Sequence, residues 1–451
     1  MTRLRLQPDP ALRRHDRGRV LVGGSPLRVL RLTPAGAEAV DGWLRGEPVA
    51  PRHRRLAARL VRAGVVHPRY DAAPLATADV TLVVPVRDRP GPLPDIPGAT
   101  RIVVDDGSTD PVPGATVRHD RAGGPAAARN SGWPLATTAL VAFVDADVTL
   151  PDGWLEPLLP HFTDPTVAAV APRVRSTPGP SLLSRYERGR GPLDLGAQAA
   201  QVRPGGRVAW VPTAALVVRT AALRALDGFD ERLRFGEDVD LVWRLGAAGH
   251  QVRYEPASTV LHDPRTRWSA WLRQRVGYGT GAAPLALRHG RAAAPVRMSV
   301  WSAAAWAAAA LGAPAAGAAL ATATAVLLPR TLRGTGVPAE ESLRLAAGGH
   351  LGAGRQFADA VTRTWWPVAV PALLATRRGR WLLAAACTRH IDDWYRTRPP
   401  LDLPRWCLLR IADDLAYGAG VWRGAVRHRT LRPFLPAFTR RTAGGTRRDA
   451  P

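Results

Sequence analysis

Asp145 and Asp147 stand one residue apart in Phe143-Val144-Asp145-Ala146-Asp147-Val148, directly after an apolar run. Along an extended chain alternate residues point the same way, so both carboxylates would leave a strand end on one side. Uncompensated, they repel each other and call for a cation or a nearby Arg. One could hold a ribose and the other a divalent cation such as Mn²⁺ or Mg²⁺ through oxygen. Three further acidic or basic motifs accompany them. Asp105-Asp106-Gly107-Ser108-Thr109-Asp110 places carboxylates beside a glycine turn, and Ala128-Arg129-Asn130-Ser131-Gly132 offers an Arg that can reach a phosphate or an acidic turn. Gly236-Glu237-Asp238-Val239-Asp240 opens a helical pattern with acids on its first turn, and His262 follows in Val260-Leu261-His262-Asp263. Together these groups suit displacement of a diphosphate leaving group at a sugar carbon. A cation neutralises the charge that builds on the diphosphate, and a general base deprotonates the acceptor hydroxyl on the opposite face.

Each motif also has a plainer explanation. An Asp-Asp-Gly-Ser turn can be a capped structural turn, a lone Arg a surface residue, and a lone His a core group. Acids on a first helical turn complement the helix dipole without any chemistry. What favours function is their order and their place at the ends of apolar runs. VTLVVPV at 80–86, RIVVDD at 101–106 and ALVAFV at 139–144 are short β-branched runs ending in polar residues. Such runs predict a largely parallel sheet with helices between the strands, and ligands bind beyond the carboxyl ends of such strands.

The full order resembles family 2 glycosyltransferases with a GT-A fold. The matching elements are VVPVRDR at 83–89, VVDDGSTD at 103–110, AARNSG at 127–132, FVDADV at 143–148, GFDE at 228–231 and GEDVDLVWRL at 236–245. The resemblance implies a Rossmann-like mixed-sheet core over 78–290. It implies Pro85, Asp88 and Asp106 around the uridine of a UDP-sugar, Arg129 near the nucleotide, and Asp145 and Asp147 as a DxD pair. It further implies His262 beside Asp147 on the metal, and Asp238 as the base of an inverting, one-step transfer. The QxxRW pattern of processive synthases does not occur; Arg273-Gln274-Arg275-Val276-Gly277-Tyr278-Gly279 occupies that neighbourhood.

Around this core the chain predicts two other regions. Residues 1–72 read as strands at 19–24 and 27–32 joined by a Gly-Gly-Ser-Pro turn. A helix follows with Thr33 as N-cap and Pro34 in its first turn, then a helix Arg54 to Ala63 stopped by Gly64, then a strand at VVHP. This order resembles PqqD-like, winged-helix peptide-recognition modules; a scaffold packed on the core explains it equally. Residues 291–451 read as helical, with an uncharged run from Met298 to Leu328 that is long enough to cross a bilayer. Its alanines and Gly312, Pro314 and Gly317 leave three readings open: one poor span, a shallow helical hairpin, or a buried helix pair. The tryptophans of TWWPVAVPALLAT at 364–376, with Arg377, Arg378 and Arg380, would suit a cytoplasmic membrane interface. With the segments RVGYGTGAAPLALRH and RPPLDLPRWCLLRIADDLAYGAGVWRGAVRHRT, the whole resembles glycosyltransferases of mycofactocin systems. That implies β-1,4-linked glucose transfer from UDP-glucose to a peptide-derived redox cofactor or its precursor. A membrane-associated glycosyltransferase of cell-envelope polysaccharide or glycolipid is the alternative.

Composition sets the outer bounds. The chain has 451 residues, 46% hydrophobic and 22% charged, enough to build cores. All 62 basic residues are Arg, and the net charge of +25 attracts phosphates and anionic surfaces. The excess is spread along the chain rather than clustered, which argues against nucleic acid as the partner. Two cysteines, Cys387 and Cys407, exclude a disulfide framework. The N-terminus has no apolar core of signal-peptide type, so the expectation is a start in the cytoplasm and work at the inner membrane face.

Overall fold

The computed structural model describes residues 3–89 and 91–439. The last residues of the helical region expected over 291–451 lie outside the described ones. The chain divides into two units, Met1–Gln274 with Thr397–Asp402 and Arg275–Arg396 with Leu403–Pro451.

Among the described residues, the first unit is built on a nine-stranded mixed sheet. Val80–Val86 runs in its middle, parallel to Thr100–Asp105 on one side and Leu140–Val144 on the other. Their Val, Leu and Ile side chains are buried on both faces, the condition under which an unbroken β-branched run becomes a central strand. Beyond Leu140–Val144 the direction reverses at Ala215–Arg219, and again at Val167–Ser176, to which Gln251–His262 runs parallel. The three strands 80–86, 100–105 and 140–144 therefore end on one edge, and that edge carries the acidic motifs. The helix Pro125–Gly132 lies against this sheet so closely that a Cβ at Gly132 would stand 2.6 Å from Val83 Cγ1.

The first seventy residues form their own small core around Leu21, Val40, Trp43, Leu60 and Val66. The expected hairpin is Val20–Gly23 paired with Arg28–Arg31. The helix Pro34–Leu44 starts at Thr33, whose Oγ1 accepts the Gly36 N–H at 3.1 Å, and Arg54–Ala63 ends at a left-handed Gly64. Two strands escape sequence reasoning: Arg13–His15, which lengthens the hairpin sheet, and Leu4–Pro8, which pairs with Val66–Tyr70. Both are too polar or proline-flanked to show a strand pattern alone. This small fold is tied to the segment between strands 200–201 and 215–219 by an ion pair and side-chain hydrogen bonds. Asp9 accepts two bonds from Arg207 at 2.9 Å and one from His67 at 2.9 Å, while Arg203 donates to the carbonyls of Ser25 and Arg62.

The second unit is helical. Ser299 caps the helix Val300–Leu311, Gly312 ends it in the left-handed region, and Pro314 starts Pro314–Leu332. A Cβ at Gly317 would stand 2.5 Å from the carbonyl of Ala305, so the two helices meet at backbone contact. The run thus forms two helices joined by a tight turn at Gly312 and Ala313. Pro314–Thr335 is long and apolar enough to cross a bilayer by length and composition, and only 6% of its apolar window is buried. Of the tryptophans in 364–376, both partly buried, Trp365 meets Phe357 edge to face and donates to the Phe434 carbonyl, and Trp366 donates to the Leu415 carbonyl. Asp413 and Asp414 on Leu403–Arg427 are buried against Arg275, Arg363 and Arg410.

Candidate active site

Arg129 organises the acidic edge. It sits in the last turn of Pro125–Gly132, fully buried, and donates to Asp145 at 2.6 Å and to Glu237 at 2.9 Å. Burial works against its charge, but Asp145 and Glu237 outweigh burial and hold it protonated more firmly than usual. Its neighbour Asn130 clamps the turn at 228–231, donating to the Phe229 carbonyl and to Glu231 while accepting the Phe229 N–H. Gly228 there has φ +58°, and a Cβ would stand 2.5 Å from Asn130 Oδ1. Only glycine fits. The Ala-Arg-Asn and Gly-Phe-Asp-Glu motifs are thus two halves of one fastening, which delivers the helix Glu237–Ala247 to the strand ends.

Asp238 lies on the first turn of that helix, ringed by protein with part of its surface still open. Burial raises its pKa to about 7, and the adjacent Glu237 adds to the rise; the Val239 N–H and Arg129 oppose it. Glu237 is also raised, by burial first, against the pull of Arg129. A carboxylate poised near neutrality at the mouth of a polar edge has the proton affinity a general base needs.

Asp147 takes a different direction from Asp145. The strand stops at Val144, and the Val148 N–H donates back to the Asp145 carbonyl at 3.0 Å, closing a tight turn. The extended geometry expected from sequence is absent, and the turn sends the two carboxylates to separate partners. Asp147 Oδ1 lies 3.5 Å from His262 Nε2, and Asp147 Oδ2 accepts from Arg265 at 3.1 Å. His262 ends the strand Gln251–His262, opposite Val148. Asp263 braces the spot: its N–H donates to the Asp147 carbonyl, and its carboxylate accepts from Arg89 at 2.8 Å and Thr177 at 3.1 Å. One carboxylate oxygen and one imidazole nitrogen this close fit a shared divalent cation. Among the described residues no group of three or more His, Cys, Asp and Glu gathers, so the remaining donors would come from a bound diphosphate and water.

The positions expected around the nucleotide separate into two sets. Asp106 is buried, and its carboxylate accepts the N–H groups of Gly123 and Gly124 at 2.7 and 2.8 Å and a bond with His119 at 2.9 Å. It holds the loop that starts the Arg129 helix. Asp105 is likewise spent on Ser108, Val112 and Arg118; burial alone would raise its pKa, but these bonds take it down to about 2. Asp88, with φ +48°, is half exposed and accepts the Thr109 N–H at 2.7 Å while its own N–H donates to Ser108. Pro85 is paired with Val104 inside the sheet. Glu237, Arg265, Arg89 and Asp263 were not singled out as site residues from the sequence. Glu237 carried a signal as one of the acids on the first turn of the 236–245 helical pattern; Arg265 carried none.

The family model "Glycosyl transferase family 2" matches residues 99–222. A "Pre-mycofactocin glycosyltransferase" of Mycobacterium tuberculosis (strain CDC 1551 / Oshkosh) is 41% identical over 96% of this chain and 97% of its own length. The chain belongs to the pre-mycofactocin branch of glycosyltransferase family 2. The matched model takes in Asp106, Arg129, Asp145 and Asp147 but ends before Asp238 and His262. A more partial relative of this glycosyltransferase is the "Succinoglycan biosynthesis protein ExoA" of Rhizobium meliloti (strain 1021), 28% identical over 32% of this chain and 44% of its own. Among solved structures, the mannosyltransferase PcManGT from Pyrobaculum calidifontis, in complex with GDP-Man and Mn²⁺, is 18% identical with a TM-score of 0.34, covering 66% of this chain and 94% of its own.

Proposed function

We propose that this glycosyltransferase moves a hexose, glucose from UDP-glucose, onto mycofactocin or its peptide-derived precursor with inversion, building a β-1,4-linked oligosaccharide. The observation that carries the mechanism is Asp238, a carboxylate held near neutrality beside Arg129, Asp145 and Glu237. The acceptor hydroxyl gives its proton to Asp238 as its oxygen bonds to the anomeric carbon. The bond from that carbon to the diphosphate breaks on the opposite face, and UDP leaves with the electron pair. Arg129 keeps Asp145 and Glu237 in place and tempers the repulsion on Asp238. Asp147 and His262 would hold Mn²⁺ or Mg²⁺, which when bound neutralises charge on the departing diphosphate. Asp145 and Asp88 remain the candidates for contacts to the nucleotide, beside Pro85; Asp106 acts through the loop it holds. The 1–72 fold is proposed to receive the peptide-derived acceptor, and 291–451 to seat the enzyme at the cytoplasmic membrane face. Replacing Asp238 with Asn tests the base. Transfer to the mycofactocin precursor, followed as UDP release, should fall by about 10²–10⁴ while UDP binding stays within about twofold. Unchanged turnover would remove Asp238 from its role.

One observation favours a second reading, the exposed apolar helix Pro314–Thr335. A lipid-linked acceptor of cell-envelope synthesis would use such a surface. UDP release with a polyprenyl-diphosphate glycan acceptor, and none with the peptide-derived one, would establish that reading instead.

A further inference from the structure

Arg265 occupies the second oxygen of Asp147. Its Nη2 donates to Asp147 Oδ2 at 3.1 Å, while the first oxygen faces His262 at 3.5 Å. The Asp147 side chain is 12% exposed and that of Arg265 46%. The backbone of the Arg265 segment is held two residues earlier, where Asp263 bonds to the Asp147 carbonyl, Arg89 and Thr177. The anchor is fixed, and the long side chain beyond it is half in water and able to swing.

We infer that Arg265 is a stand-in cation that keeps Asp147 neutralised until a nucleotide diphosphate brings the metal. A divalent ion and a guanidinium compete for one carboxylate, so the pair with Arg265 subtracts its own free energy from metal binding in the empty enzyme. When a diphosphate arrives, the displaced guanidinium has an anion to move to beside the site, and the subtraction is removed. The arrangement makes metal affinity depend on the diphosphate, and by linkage diphosphate affinity depends on the metal to the same degree. Arg265 is a positioning residue that acts through Asp147, and its role rests on the Asp147–His262 cation site proposed above.

The test is Mn²⁺ titration of the full chain, read by the paramagnetic signal of free Mn²⁺, with and without UDP and in the absence of any acceptor. Three proteins are compared: the unaltered chain, Arg265→Gln and Asp147→Asn. Without UDP, Arg265→Gln should bind Mn²⁺ about fivefold more tightly than the unaltered chain, the scale of one partly exposed ion pair. With UDP the difference should disappear, because the displaced guanidinium then pairs with the diphosphate and no longer competes for Asp147. A variant that had merely lost local structure would weaken binding in both conditions. Arg265→Gln binding Mn²⁺ no more tightly than the unaltered chain without UDP overturns the inference, including the case in which neither binds measurably. If Asp147→Asn binds Mn²⁺ as well as the unaltered chain in the presence of UDP, the cation site itself is wrong, and that outcome is separate.

Discussion

A carboxylate that accepts a proton near neutral pH needs its charged form disfavoured, and for Asp238 burial does this first, with the charge of Glu237 beside it adding to the effect. The same shift has a cost in stability with a definite sign. The folded protein holds the Asp238 proton up to about pH 7, whereas the unfolded chain releases it near the ordinary value of 3.8. Between those values the folded state binds more protons, so this residue's contribution to stability falls as pH rises. Asp238→Asn should therefore raise the melting temperature of the metal-free enzyme at pH 8 and raise it by clearly less at pH 5, measured by calorimetry. The acidic limb of kcat/KM against pH in the unaltered enzyme should likewise lie near pH 7. Asp145, Asp147 and His262 were legible at the ends of apolar runs, and Asp238 at the opening of a helical pattern. The state of Asp106 was not, because a motif shows a carboxylate but not how many N–H groups have already claimed it.

The elements that matter are short and bound by contacts far apart in sequence. Pro125–Gly132 presents Arg129 at the right depth only because it lies on Val80–Val86 with no side chain between. Gly132→Ala would press a methyl group into Val83 and Val104. It should cost about 1–3 kcal/mol, the range for overpacking a full core, and lower the thermal midpoint. Activity should fall more steeply than stability at a permissive temperature, since Arg129 shifts with the helix. The central strands were readable from their unbroken apolar runs. Arg13–His15 and Leu4–Pro8 were not, because they are strands by pairing and not by composition.

For the whole molecule, the ion group around Asp9 joins the first seventy residues to the segment carrying Arg207, between strands 200–201 and 215–219. Burial pushes the Asp9 pKa up, but hydrogen bonds from His67 and Arg207 outweigh it and hold it well below the ordinary carboxylate range. Removing the carboxylate strands Arg207 and His67 together, so Asp9→Ala should destabilise the unit by about 3–5 kcal/mol. The depressed pKa gives the matching pH dependence. Stability from Asp9 is full above its unfolded value of 3.8 and is lost as pH falls through the folded value, so the gap between Asp9→Ala and the unaltered protein should narrow below about pH 4 in urea titrations. The hairpin Val300–Leu311 and Pro314–Leu332 belongs to the same scale. Composition left open how this run packs, and the fold brings its two helices to backbone contact at Gly317 and Ala305.

Sequence alone determined the chemistry on offer: which acids, Arg and His exist, that they follow apolar runs, and that their order is that of family 2 glycosyltransferases. Strand periodicity and caps are local, so they are written in neighbouring residues. Tertiary structure decided which carboxylates remain free to act. Arg129 reaches Glu237 across 108 residues and Arg265 reaches Asp147 across 118, and no local pattern encodes such pairings. Proton affinity and cation access depend on burial and on charges brought from distant strands, and those exist only once the sheet has closed its core.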